Sequence, residues 1–70
     1  MPDVAERLIQ AQAHAEAMPH PTTLKLWRDG VEVEMWDSGR RITRRVTWAD
    51  VQVARINPVM TAIDKCASDM

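Results

Sequence analysis

The chain has 70 residues, with nine Lys and Arg against ten Asp and Glu, a formal charge of −1 and 46% apolar content. That length allows one small domain, residues 1–70, because a chain this short buries only about 60% of the surface its unfolded form exposes, too little to enclose a large active site. No apolar run reaches the roughly 20 residues of a membrane helix, the acidic start Met1-Pro2-Asp3-Val4-Ala5-Glu6 is unlike a secretory signal, and the lone Cys66 can close neither a disulfide nor a multi-thiolate zinc site, so an intracellular or virion location is expected.

The first segment predicts a helix over 4–17. Val4, Leu8, Ala11, Ala15 and Met18 recur at the spacing that lines one helical face, Ile9 widens the stripe, and Asp3 with Glu6 has capping-box spacing. Pro19 and Pro21 then make an extended connector. Three alternating runs follow, at 23–28, 31–36 and 41–47, separated by Asp29-Gly30 and by Asp37-Ser38-Gly39.

A two-residue Asp29-Gly30 turn predicts Leu26 opposite Val33 and Leu24 opposite Met35 on one face, with Lys25 opposite Glu34 and Trp27 opposite Glu32 on the other. A Ser38-Gly39 turn sets Met35 opposite Ile42 and Val31 opposite Val46 inside, with Glu32 opposite Arg45 and Trp36 opposite Arg41 outside. Arg44 falls on the inner face beside Val33, which requires either an uncovered stretch of sheet or an arginine that snorkels to an edge. Thr47 with Asp50 has the spacing of a second capping box, and Asn57-Pro58 breaks the helix that follows and restarts it. Val59, Ile63 and Cys66 line the last segment.

The expected architecture is α+β in the order α-β-β-β-α, a three-stranded antiparallel meander with the N-terminal helix and the Pro-broken C-terminal helix on one face. Its expected core is Val4, Leu8, Ile9, Ala15, Leu24, Leu26, Val33, Met35, Ile42, Val46, Trp48, Ile56, Val59 and Ile63.

Alternation places Trp27 and Trp36 on the sheet face away from that core, with Lys25, Arg41 and Arg45 beside them. Exposed Trp and Arg are the usual anchors of recognition surfaces, although rings lying flat over their cross-strand neighbours would need no partner. Lys25, Arg28, Arg40, Arg41, Arg44 and Arg45 form a local basic cluster. Residues 40–45 are the stretch that would contact phosphates, but the interleaved Asp29, Glu32, Glu34 and Asp37 favour solvated cross-strand ion pairs. His14 and His20 have no recognised ligand spacing, and no nucleophile-and-base ordering or glycine-rich phosphate loop occurs. The residues predict no catalysis, cofactor or metal site.

From Val31 onward, a strand, a turn carrying Asp37, Gly39, Arg40 and Arg41, a second strand with Ile42 and Val46, and a helix starting over 47–51 resemble the small lambda-type gpW head-to-tail joining proteins of tailed bacteriophages. The preceding Ala-rich helix agrees in order and length. The chain differs in its additional strand at 23–28 and in Pro58. The resemblance implies a structural subunit packed in a ring below the portal, touching neighbouring copies and the next connector protein while DNA passes through. The expectation is therefore a non-enzymatic, self-associating protein-binding module whose partner is a portal or connector protein, with Trp27, Trp36, Arg41, Arg45 and Lys25 as contacts. The alternatives are a phage or mobile-element inhibitor of a host protein complex, anti-CRISPR-like, and a nucleic-acid binder using residues 40–45. The first would bind one target tightly as a monomer or dimer, and the second would lose affinity steeply with salt.

Overall fold

Asp3 begins the first helix, its carboxylate accepting the Ala5 N–H at 3.0 Å. The computed structural model describes residues 3–70, and helix α1 spans Val4–Glu16. Glu6 returns no capping bond among the described residues, so Asp3 caps alone. The buried positions of α1 are Arg7, Ala11 and Ala15, an i, i+4, i+8 row flanked by half-buried Val4 and Leu8. Ile9 lies about 200° around the helix from Arg7 at 100° per residue, and it is exposed rather than core.

The prolines after α1 deliver the chain to a sheet of order β1-β2-β3, with β1 at Thr22–Leu26, β2 at Gly30–Asp37 and β3 at Arg40–Thr47, both pairs antiparallel. The β2–β3 register is the expected one, with Val31 opposite Val46, Glu32 opposite Arg45, Met35 opposite Ile42 and Trp36 opposite Arg41. Ser38 (φ 49°) and Gly39 (φ 85°) supply the left-handed backbone of its two-residue turn.

The β1–β2 register departs from the expectation by two residues. Leu24 faces Val33, Lys25 faces Glu32 and Leu26 faces Val31, while the Trp27 N–H donates to the Gly30 carbonyl at 2.8 Å, so the turn tip is Arg28-Asp29. The reason is the work done by Gly30. A Cβ there would collide with the Val46 carbonyl, and the glycine admits the close approach of β3 where that strand runs into the next helix. The Asp29 carbonyl accepts the Trp48 N–H at 3.3 Å, which ties the turn to the same corner. A shift of two preserves every face, so the inner and outer sets are as expected.

Thr47 caps α2 (Trp48–Val53) through the Asp50 N–H at 3.1 Å. Asn57 caps α3 (Pro58–Ser68) through the Val59 N–H at 3.2 Å, with Pro58 in the first turn. The break leaves Ile56 in the connector, exposed and not in the core. Arg7 spans the break from below, donating to the carbonyls of Val51 (3.1 Å) and Arg55 (3.4 Å), while the Asn57 amide donates to the Arg7 carbonyl at 2.9 Å.

Helix α3 lies over β2 and β3, and α1 packs on α3 and β1. The core is Ala11, Ala15, Val31, Val33, Met35, Val46, Val51, Val59, Ala62, Ile63 and Cys66, with Val4, Leu8, Leu24, Ile42 and Trp48 half-buried against it. Leu26 is on the inner face at the end of β1, where it borders a shallow depression beside Leu8 and Ile9 of α1, and it is exposed. Arg44 resolves as a snorkelling side chain, opposite Val33 in the sheet and paired with Asp69 at the end of α3 at 2.8 Å.

Candidate interaction surface on the outer sheet face

The pleat gathers Lys25 and Trp27 from the β1 side, Glu32, Glu34 and Trp36 from β2, and Arg41 and Arg45 from β3 on the face that no helix covers. All five residues expected to form the contact surface therefore share one plane. Trp27 is 46% exposed and Trp36 is 41% exposed. Neither indole is sealed inside the chain, and neither stands free in solvent.

Each ring is held. The Arg45 guanidinium lies 5.0 Å from the centre of the Trp27 ring, a cation–π contact. The Trp36 Nε1–H donates to Glu34 Oε1 at 3.0 Å. Trp48 sits at the strand-to-helix corner, half-buried, with its Nε1–H on the Trp27 carbonyl at 2.9 Å.

Glu34 is the hub that composition alone does not reveal. It is the buried member of the outer face, and its second oxygen accepts from Lys25 Nζ at 3.2 Å and Arg41 Nη1 at 3.3 Å. The Trp36 indole N–H, then Lys25, hold its carboxyl below the usual carboxylate range, against the opposing effect of burial. The signal in the sequence was its position between a lysine and an arginine on neighbouring strands. Lys25 reaches it diagonally, because the backbone register sets Lys25 against Glu32. Arg45 is shared between Glu32 (3.3 Å) and Asp29 (3.7 Å).

The cations of this face are thus matched by its own carboxylates: Lys25 and Arg41 on Glu34, Arg45 on Glu32 and Asp29. Arg40 and Arg44 are engaged too, on the Asp69 carbonyl (3.4 Å) and carboxylate. The face presents aromatic area bordered by neutralised charge.

Elsewhere, His14 bonds Asp64 at 2.7 Å and joins α1 to α3, and His20 lies 3.8 Å from Asp37. Among the described residues no group of three His, Cys, Asp or Glu is placed to hold a metal ion. Cys66 is buried under α3, and burial pushes its thiol up, which keeps it protonated at neutral pH. No helix among the described residues is long and apolar enough to cross a membrane.

No protein-family model, curated protein or solved structure matches this chain.

Proposed function

We propose that the chain is a non-enzymatic protein-binding module whose contact surface is the outer face of its sheet. The observation that carries this reading is the pair of half-exposed indoles, one under the Arg45 guanidinium and one hydrogen-bonded to Glu34, on a face without a covering helix among the described residues. Fixed aromatic side chains lose little freedom on docking, which is what makes Trp and Arg effective anchors. Matched charges at their borders favour a protein partner over a polyphosphate, since arginines already bonded within the chain release few counterions on meeting a nucleic acid.

The outline shared with phage head-to-tail joining proteins makes a portal or connector subunit, or neighbouring copies of the chain itself, the partner on this reading. An inhibitor docked on one host complex uses the same face with different stoichiometry.

The test compares the wild-type chain with a Trp27→Ala, Trp36→Ala double variant, both verified as folded by circular dichroism. The expected result is a defined partner or ring that the wild type forms and the double variant does not, read as mass by light scattering. Retention of that assembly by the double variant rejects this face. Binding to DNA or RNA that weakens steeply with salt would replace the protein reading with the nucleic-acid one.

A further inference from the structure

The opposite side of β3 carries a second feature. β3 is an edge strand, and its backbone has a definite polarity of pairing. The Trp36 N–H donates to the Pro21 carbonyl at 3.0 Å, so Trp36 turns its backbone groups toward β1, and the residue facing it across the sheet, Arg41, must turn its own outward. Thr43 and Arg45 follow by the two-residue period. Among the described residues, no hydrogen bond from another element reaches the N–H or C=O of these three residues.

That open edge borders a groove of about 670 Å³ between β3 and the α2–α3 connector with α3. Val46, Ile56 and Ala62 contribute its apolar lining, and Ile56 is 75% exposed. Arg44, Arg45, Arg55 and Lys65 contribute cations, against the single carboxylate of Asp50. Arg44 is spent on Asp69 and Arg45 on Glu32 and Asp29, but Arg55 and Lys65 form no ion pair among the described residues. Pro58 to Lys65 covers about 10 Å of helix, the length of about three residues of extended strand.

We propose that β3 accepts an extended acidic peptide segment of another protein as a fourth strand. Its backbone pairs with Arg41, Thr43 and Arg45, its apolar side chains enter the groove on Ile56 and Ala62, and its carboxylates meet Arg55 and Lys65. Charge disfavours the simplest competitor, a second copy of this chain paired edge to edge, because its β3 brings Arg40, Arg41, Arg44 and Arg45 and no carboxylate to a groove in which Arg55 and Lys65 already lack partners among the described residues. An acidic segment meets Arg55 and Lys65 with favourable sign. The edge uses the backbone of Arg41 and Arg45, whose side chains belong to the outer face, and it needs neither indole, so the proposal does not rest on the outer-face reading.

The experiment follows backbone amides by 1H–15N NMR while the peptide Glu-Glu-Val-Thr-Val-Thr-Glu-Glu, blocked at both ends, is titrated into the full chain. Its alternation places Glu, Val, Val, Glu on one side of the strand. The expected result is that the amides of Arg41, Thr43 and Arg45 shift and become protected from exchange, while the Trp36 indole N–H signal stays in place. The same peptide with Lys for Glu leaves the spectrum unchanged. Thr43→Pro, which removes an outward N–H from an edge strand, is expected to weaken binding by at least about tenfold. Should that variant fail to fold, Arg55→Glu with Lys65→Glu, both on solvated side chains, is expected to weaken it likewise. Equal binding of the Glu and Lys peptides, unmoved edge amides, or full affinity in the Arg55→Glu, Lys65→Glu variant overturns the proposal.

Discussion

At Glu34 one carboxylate takes three donors from three positions of the sheet, and its depressed pKa makes the arrangement testable by pH. A carboxyl whose folded pKa is lowered stabilises the native state fully above its ordinary value of 4.5, and that contribution is lost as pH falls through the folded value. Glu34→Gln is therefore expected to be less stable than the wild type at neutral pH, with the gap closing on acidification into the range where Glu34 itself protonates. Urea denaturation at the two pH values measures it. Arg7 is the other residue whose role exceeds its position. It occupies the buried row of α1, where its guanidinium bonds the carbonyls of Val51 and Arg55 at the helix break. Arg7→Ala leaves the buried Val51 carbonyl without this donor and is expected to cost about 2 kcal/mol, read as a lower denaturation midpoint.

Among the elements, the faces of the strands were legible because a period of two survives any even shift in pairing. Both interior caps, Thr47 and Asn57, were legible as well, since a side-chain acceptor before a run of free N–H groups has a local signature. The β1–β2 register was not. Asp-Gly is a strong turn signal only when the glycine is needed for left-handed backbone, and here Gly30 serves a contact with Val46 that is distant in sequence. Gly30→Ala accordingly places a methyl group against the Val46 backbone carbonyl, with no flexible side chain to give way. The expected loss exceeds about 2 kcal/mol, as for other substitutions that overpack a fixed backbone, and thermal unfolding followed by circular dichroism would register it. Ile9, Leu26 and Ile56 are exposed for reasons that hydrophobicity does not carry: Ile9 points away from the buried row of α1, Leu26 ends its strand, and Ile56 falls in the connector at the helix break. The outer cluster of Trp27, Trp36, Lys25, Arg41 and Arg45 followed from alternation alone. The Lys25–Glu34 pair was expected from direct opposition and is made diagonally; what alternation did not reveal is that Arg41 and the Trp36 indole converge on the same carboxylate.

The whole molecule measures 38 × 22 × 16 Å, one sheet with helices on one side. Such a two-layer body draws its stability from the inner face, where Met35, Val31, Val33 and Ile63 are fully buried. Removing both outer indoles acts outside this core but still lowers stability: each ring is more than half withdrawn from water and Trp36 also donates to Glu34, so the Trp27→Ala, Trp36→Ala variant is expected to lose about 2–4 kcal/mol. A far-ultraviolet circular dichroism spectrum that keeps the wild-type shape at the assay temperature would separate loss of contact surface from loss of fold. The chain contains three tryptophans and neither tyrosine nor phenylalanine, so its near-ultraviolet emission comes from indole alone. Two of those three fluorophores stand on the open plane, and the third is bonded to the backbone beneath one of them. A macromolecule settling on that plane would shift the emission to the blue and shield it from iodide quenching, and a strand added at β3 would leave both indoles open to the quencher. The chain carries its own unlabelled optical readout of whether that plane is occupied.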